Sequence, residues 1–298
     1  MGRPRREPIE PGKTAPARSA QHDHAGSVFL RRHPAHPQEG CLIRQRESLP
    51  TRVQGLPELP ATYRATLDAG LEDLGLTLTD DARAAIDGHV RLLLAWTAAI
   101  NLTSIRDPAA VARLHVIDSL TAVPVLRSRG IDRLVDLGSG GGFPGLTLAA
   151  AVPTERALLI DSVGKKVAFL ETAIAATNLG ARAAAAAVRA EQLAADPRHR
   201  DAWPAVTARA VGSLAELVEL AFPLLRPGGC LVAWKRGSID DELQAARRAM
   251  DAVGGGDIDV VEPRVHGLEG HKLVVATKAR RTPPGFPRDP AERRRRPW

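Results

Sequence analysis

Residues 134–145 read LVDLGSGGGFPG, a short apolar strand that runs directly into a loop with five glycines. The helical pattern of residues 146–151 comes immediately after this loop. Glycine allows the backbone to turn tightly and to approach a ligand at the start of a helix. The stretch therefore predicts a strand–loop–helix unit of a Rossmann-like sheet, with a ligand site at the loop.

Apolar runs and helical patterns alternate through the rest of the chain, which predicts an α/β fold with a parallel, doubly wound sheet. The predicted strands are 134–137, 157–160, 184–188, 205–208, 230–234, 259–265 and 272–277. The last two are separated only by the short glycine-rich segment 267–270. They are therefore expected to form an antiparallel pair at the end of the sheet.

The patterning divides the chain into four regions. Three helical patterns, the third opened by Asp107-Pro108, predict an N-terminal helical cap over residues 58–130. Residues 131–279 hold the sheet domain. Residues 1–57, with eight prolines and no apolar period, predict a disordered extension, and residues 280–298 predict a basic tail rich in proline and arginine.

Composition excludes several classes of protein. The 298 residues are 44% hydrophobic and 25% charged, which argues against disorder throughout. No apolar run approaches the roughly 20 residues that span a bilayer, which argues against an integral membrane protein. Cys41 and Cys230 are too few for a disulfide framework or a zinc site and suit a reducing cytoplasm, so no metal is predicted.

The net charge of +7 is concentrated at the two ends of the chain. Residues 1–57 carry ten basic and five acidic side chains, and residues 278–298 carry eight and two. Residues 58–277 hold 23 basic and 27 acidic side chains and are net acidic. We therefore expect the C-terminal tail to contact phosphate groups without reading sequence.

The glycine spacing alone fits two cofactors. Gly138-x-Gly140-x-Gly142 suits S-adenosylmethionine, whereas residues 140–145 match the dinucleotide fingerprint of NAD sites. Asp161, at the end of the second strand, is placed to hold the ribose hydroxyls of either cofactor. A sulfonium suits a net acidic domain better than a pyrophosphate, and no Cys–His pair or Tyr-x-x-x-Lys arrangement supports hydride chemistry, so S-adenosylmethionine is favoured.

Further motifs carry a family resemblance. They are NLTSIRD (101–107), RLHVIDSL (113–120), GSGGGFPG (138–145), LIDSVGKK (159–166), ARA (208–210), WKRG (234–237) and TPPGFPR (282–288). In this order they resemble the small-subunit ribosomal RNA guanine-N7 methyltransferase family (RsmG, also called glucose-inhibited division protein B). The resemblance covers roughly residues 59–290 and leaves residues 1–57 outside.

The resemblance implies a class I S-adenosylmethionine-dependent methyltransferase, with a seven-stranded sheet whose last strand is antiparallel. Its implied substrate is N7 of one guanine in the 530 loop of 16S rRNA. With Gly140 of the loop added, the expected cofactor contacts are Gly138, Gly140, Phe143, Asp161, Ala190, Glu191 and Arg209. Within this set, Ala190 and Glu191 would frame the adenine, and Arg209 would lie at the methyl-donor end.

Guanine N7 has a free lone pair, so no catalytic acid or base is predicted. Arg209 and Lys235 are instead candidate positioning residues. His115 and Asp118, three residues apart on a helix, are expected to brace that helix rather than to form a catalytic pair. Lys165, Lys166, Lys235 and Arg281 are the candidate RNA contacts, although the two adjacent lysines would equally suit an exposed helical face.

The expected partner is 16S rRNA, within a 30S subunit or an assembly intermediate. The protein is expected to be a cytoplasmic monomer with no membrane partner. Three alternatives stay open at this point: a methyltransferase acting on protein or a small molecule, a nicotinamide oxidoreductase, and a non-catalytic RNA-binding module on the same fold.

Overall fold

The seven predicted strands form one sheet in the computed structural model, which describes residues 49–298. The strands are β1 (Arg133–Leu137), β2 (Arg156–Asp161), β3 (Ala183–Ala187), β4 (Trp203–Arg209), β5 (Leu225–Arg236), β6 (Gly255–Val261) and β7 (His271–Lys278). Their order is β3-β2-β1-β4-β5-β7-β6. The first five strands run parallel, and β7 pairs antiparallel with both β5 and β6. The α/β class and the antiparallel last strand are thus confirmed.

Helices cover both faces of the sheet. They are α1 (Ala61–Leu74), α2 (Asp80–Thr97), α3 (Pro108–Val111), α4 (Asp118–Leu120), α5 (Val123–Ser128), α6 (Gly145–Ala151), α7 (Gly164–Ala176), α8 (Ala190–Ala195), α9 (Leu214–Ala221), α10 (Asp240–Val253) and α11 (Pro290–Arg295). A strand buried on both faces reads as a continuous apolar run. In β1, Leu134 faces the core that includes the cap, and Val135 faces the opposite core.

The cap consists of α1 to α5. The ends of its first three helices lie at residues that are typical helix caps. Gly75 ends α1 in the left-handed conformation (φ 60°). The Thr79 hydroxyl accepts a hydrogen bond from Ala82 N–H at the start of α2. Asp107 caps α3 in the same way through Ala110 N–H, with Pro108 at the first helical position. Nothing in the sequence indicates the π-helical segment Ala112–Ile117, which joins α3 to α4.

The helical stretch Pro108–Ser128 is longer and more apolar than the sequence analysis allows for. It has 21 residues, and an 18-residue window within it reaches a mean hydropathy of 1.4, which meets the length and composition of a membrane span. However, 61% of that window is buried inside the fold, where the stretch packs against α1 and α6. It is a core helix by its packing.

The folded part of the chain begins earlier than predicted. Residues 49–57 lie against the cap rather than in an extension, since Leu49, Val53 and Leu56 pack on the core. Trp96 Nε1 also donates a hydrogen bond to the Pro50 carbonyl at 2.8 Å. The remainder of the predicted extension, residues 1–48 with Cys41, lies outside the described residues.

Two strand boundaries differ from the prediction. Strand β6 spans residues 255–261 rather than 259–265, because Gly254 ends α10 with φ 95° and the chain enters the strand at once. Strand β5 begins at Leu225 rather than at residue 230 and so takes in the glycines at 228 and 229, and its register against β4 shifts between Trp203 and Ala205. Both errors arise where glycines continue a strand instead of ending it.

Candidate functional site

The glycine loop lies at the carboxyl edge of the sheet, between β1 and α6. Gly138 has φ 66°, and a Cβ atom there would lie 2.7 Å from Val211 Cγ2. A Cβ atom at Gly145 would lie 2.7 Å from Asp136 Oδ2. Glycine is therefore required at the first position by backbone conformation and at the last by close packing.

Asp136 anchors this loop from below. The residue is fully buried in β1. Its Oδ1 accepts a hydrogen bond from Thr207 Oγ1 at 2.7 Å, and its Oδ2 accepts one from Gly145 N–H at 3.2 Å. Burial raises the pKa of this carboxyl to about 6, although these hydrogen bonds oppose the shift. One carboxylate oxygen of Asp136 thus holds the end of the loop, and the other holds β4.

A cleft of about 340 Å³ opens beside the loop, at the carboxyl ends of β1, β2, β3 and β4. It brings together four of the predicted cofactor contacts, which come from three separate strand ends: Gly138, Asp161, Ala190 and Glu191. Lys166 also lines the cleft, as does Arg293 of the C-terminal region. Gly140, Phe143 and Arg209 lie outside this lining.

Asp161 is the acidic group at the cleft floor. It is 7% exposed, and its Oδ2 accepts a hydrogen bond from Gly140 N–H at 3.1 Å. Its Oδ1 accepts one from Val163 N–H at 2.9 Å, and Lys166 Nζ lies 3.8 Å from Oδ2. A carboxylate has about four acceptor positions, so acceptor capacity remains for ligand hydroxyls. These free acceptor positions on Asp161 fit the ribose hydroxyls of S-adenosylmethionine, which would donate to them.

Phe143 occupies the opposite side of the loop, towards the cap. Its ring centroid lies 4.5 Å from that of His89 and 4.9 Å from that of His115. The Arg209 guanidinium lies over the same ring at 5.6 Å. The Phe143 side chain therefore packs under the cap, where it holds the loop against α2.

Arg209 is bound into the cap as well. Its Nη1 donates hydrogen bonds to Leu114 O at 2.9 Å and to Asp118 Oδ2 at 3.0 Å, and its Nη2 donates to His115 Nδ1 at 3.0 Å. His271 Nδ1 lies 2.9 Å from the other Asp118 oxygen. The predicted helix brace thus includes a β4 arginine and a β7 histidine. The Arg209 side chain is thus fixed between β4 and the cap, and its place at the methyl-donor end stays a prediction.

Two neutral histidines hold the loop and the brace. An arginine can only donate, so His115 Nδ1 accepts, and the ring proton lies on Nε2, 2.7 Å from Thr103 Oγ1. His89 Nε2 donates to the Gly141 carbonyl at 2.7 Å. Burial lowers the pKa of each imidazole to about 4. Sequence reasoning missed His89, whose one signal is a histidine within the apolar face of α2.

The predicted RNA contacts have different environments. Lys165 and Arg281 are exposed. Lys166 is half-buried beside Asp161. Lys235 is 11% exposed, and its ammonium contacts Glu242 Oε2 at 2.6 Å and Gly212 O at 2.8 Å. Lys235 is therefore neutralised inside the protein, which differs from its prediction as an RNA contact.

The predicted basic tail is also folded against the domain. Arg288 pairs with the fully buried Glu219 of α9 at 2.6 Å. The Trp298 indole N–H donates to the same carboxylate at 2.7 Å. Arg293, which lies in α11, contacts Glu191 at the rim of the cleft. Part of the basic charge at this end of the chain is therefore used within the protein.

This sheet order, with a glycine loop after β1 and an acidic residue at the end of β2, defines a class I S-adenosylmethionine-dependent methyltransferase. A family model described as rRNA small subunit methyltransferase G matches residues 83–265. The chain belongs to this family. The predicted family and cofactor are confirmed, and the nicotinamide alternative is excluded.

Two relatives carry the name of this family, and one solved structure shows a more distant similarity. A ribosomal RNA small subunit methyltransferase G from Roseiflexus castenholzii is 43% identical over 196 residues, which cover 66% of this chain and 83% of the relative. One from Pelotomaculum thermopropionicum is 33% identical, covering 78% and 97%. A solved O-methyltransferase from Bacillus cereus, in complex with SAH, is 15% identical with a TM-score of 0.47, covering 70% and 94%.

Proposed function

We propose that this methyltransferase modifies N7 of a guanine in the 530 loop of 16S rRNA. The substrate would be a 30S subunit or an assembly intermediate, and the enzyme would act as a cytoplasmic monomer. Membership of a small-subunit rRNA methyltransferase family supports the RNA class. The observation that carries the choice of atom is the engagement of His115, whose two ring nitrogens are both bonded within the protein. The other cap histidine, His89, donates to the Gly141 carbonyl from Nε2 and is fully buried.

In the proposed cofactor complex, the ribose lies against Asp161 and the adenine lies between Ala190 and Glu191. Support comes from the shared cleft, to which three strand ends contribute these side chains. Gly138 has no side chain and would let the loop backbone lie close to the cofactor. Phe143 and Arg209 act from the cap side, where their contacts keep the loop in place.

The chemistry of guanine N7 fits these surroundings. S-adenosylmethionine would supply an electrophilic methyl group on a sulfonium. The in-plane lone pair of N7 would form the new carbon–nitrogen bond as the methyl–sulfur bond breaks and S-adenosylhomocysteine leaves, and N7 has no proton to lose. A hydroxyl or amine nucleophile would instead require a general base near the reacting atom. The cap histidines are held neutral by burial and donate or accept within the protein. The contribution of this chain is therefore alignment and exclusion of water, for which proximity supplies at most about 7–11 kcal/mol.

RNA binding is assigned to basic side chains that are exposed or, for Lys166, half-buried at the cleft. Lys165 and Lys166 lie at the start of α7 beside the cleft, and Arg281 lies beyond the end of β7. Arg209 and Lys235 keep only a positioning role, since both cations have acceptors inside the protein. Exposed cations bind phosphate by releasing counterions and do not select a base.

The proposal is tested by methyl transfer from labelled S-adenosylmethionine to unmethylated 30S subunits and to naked 16S rRNA. We expect one methyl group per particle, located at N7 of a guanine in the 530 loop by cleavage chemistry specific for that modification. Transfer to another atom or another rRNA region would overturn the proposed substrate. Transfer to protein alone would favour the alternative of a protein methyltransferase.

Substitution of one glycine inside the loop and one outside it tests whether the loop binds the cofactor. Gly140 has φ 53°, and Gly140→Val should abolish cofactor binding and methyl transfer. A branched side chain at this position would occupy the space in which the cofactor approaches the loop backbone. Gly180→Val is the matched control, since a Cβ atom there meets nothing within 4 Å. Unchanged S-adenosylmethionine binding in the Gly140 variant would show that this loop does not hold the cofactor.

A further inference from the structure

The last thirteen residues, 286–298, form what we call the C-terminal segment. It is anchored on α9 by an ion pair between Arg288 and Glu219, whose carboxylate is fully buried. The Arg288 guanidinium lies 4.3 Å from the centroid of the Trp298 ring. A buried carboxylate is stable only when it is paired and hydrogen-bonded. This anchor therefore fixes the segment beside the cleft.

Arg293 extends from this anchor to the cleft itself. Its guanidinium forms an ion pair with Glu191, which lies 102 residues earlier in the chain. Its Nη1 also donates to the Arg288 carbonyl at 2.8 Å, and its Nε lies 3.9 Å from Glu216 Oε1. Arg293, Glu191 and Glu216 all line the cleft. The arginine thus joins the anchored segment to the rim of the cleft.

The pair is largely withdrawn from solvent. The Arg293 side chain is 11% exposed and the Glu191 side chain is 20% exposed. A charge-assisted hydrogen bond between two such side chains restricts the rotamers of both partners. Without Arg293, the Glu191 carboxylate would turn towards solvent on a helix of only six residues, α8. Its position at the rim therefore depends on a residue from the far end of the chain.

We propose that the C-terminal segment forms one wall of the cofactor cleft and that Arg293 is a positioning residue for S-adenosylmethionine, acting through Glu191. This inference rests on the proposed cofactor site and deepens it. It also revises the sequence-based expectation that the end of the chain serves RNA alone. Cofactor affinity and the integrity of the segment are coupled through a single ion pair.

The test is calorimetric titration of the full chain with S-adenosylhomocysteine. Arg293→Ala should weaken binding by about tenfold to 150-fold, the range expected when a hydrogen bond to a charged group is lost. Arg295→Ala removes the same charge from an exposed position on the same helix and should leave cofactor affinity unchanged. Arg293→Lys retains the charge and should recover part of the loss.

A structural effect is separated from positioning by two further measurements. The affinity losses of Glu191→Gln and Arg293→Ala should not add in the double variant, because both remove the same interaction. Binding of 5′-methylthioadenosine, which lacks the amino-acid part, should fall by the same factor as S-adenosylhomocysteine. Additive losses, or a loss confined to the larger ligand, would overturn the role of Arg293 at the adenine end.

Asp161→Ala distinguishes the proposed site from the role of Arg293 within it. If this variant loses cofactor binding while Arg293→Ala binds like Arg295→Ala, the site stands and the inference about Arg293 is wrong. If Asp161→Ala binds normally, the proposed cleft itself is wrong. Melting temperatures without ligand should be similar for the Arg293 and Arg295 variants. A large drop confined to the Arg293 variant would assign this residue to stability instead.

Discussion

The glycine loop has two sides that are built differently. On the cap side, His89 is buried and His115 and Arg209 are half-buried, and each is hydrogen-bonded to another side chain or to the backbone. On the cleft side, Asp161 and Glu191 keep partial exposure or spare acceptor capacity. The same loop is thus held from one side and left open to a ligand on the other. Substitutions on the cap side should change folding stability, and those on the cleft side should change affinity.

The largest effect is expected on the cap side. Arg209→Ala would leave the buried Asp118 carboxylate with His271 as its remaining side-chain partner, which should cost about 3–5 kcal/mol of unfolding free energy. Urea denaturation of this variant measures the cost. The exposed Arg106→Ala is the matched control and should be close to neutral. Unchanged stability with lost cofactor affinity would place the Arg209 side chain in the cleft after all.

A pH effect of somewhat smaller size is expected from His89. Its folded pKa of about 4 lies below its usual value of 6.5, so the unfolded chain binds the proton more tightly. Stability that is present above pH 6.5 is therefore lost as the pH falls towards 4, by on the order of 3 kcal/mol for this residue. His89→Gln keeps a donor for Gly141 O and cannot titrate, so it should flatten this dependence.

Two controls isolate the His89 contribution. The raised pKa of Asp136 acts in the opposite sense, because protonation of that buried carboxyl stabilises the fold as the pH falls below about 6. Asp136 is present in both proteins, so the difference between His89→Gln and the parent chain cancels it. His266→Gln, at an exposed position, controls for the replacement of a histidine as such. Parallel curves for the parent and His89→Gln would contradict the proposed neutral state.

The smallest effect concerns RNA. Arg294 and Arg296 are exposed in the C-terminal segment, so their double alanine variant should reduce the salt slope of 30S binding by at most about 0.7–0.9 per lost phosphate contact. Lys235→Ala should leave the slope unchanged, because Glu242 already neutralises that ammonium. Binding measured between 50 and 200 mM salt checks both. If Lys235→Ala reduces the salt slope more than the double arginine variant does, then Lys235 contacts RNA and the two arginines are not the main contacts.

Local sequence patterns predict the elements well and predict contacts between distant elements poorly. The strand ends carrying Gly138, Asp161 and Glu191 could be expected to converge, because parallel strands present their carboxyl ends at one edge. Nothing in the sequence pairs His89 with Gly141, 52 residues apart, or Arg293 with Glu191. Those pairs depend on how the cap and the C-terminal segment dock, which packing of the whole chain decides.

The π-helical segment in the cap has a consequence for chain length. Asp118 N–H bonds to the Arg113 carbonyl, five residues back, whereas an α-helix would use Leu114. The Leu114 carbonyl is thereby released and accepts from Arg209. Removing one residue from the π-helical turn would restore α-helical spacing and return that carbonyl to the hydrogen-bond ladder of the helix. Arg209 would then lose this acceptor, so the extra residue in the turn is what supplies a backbone contact between the cap and β4.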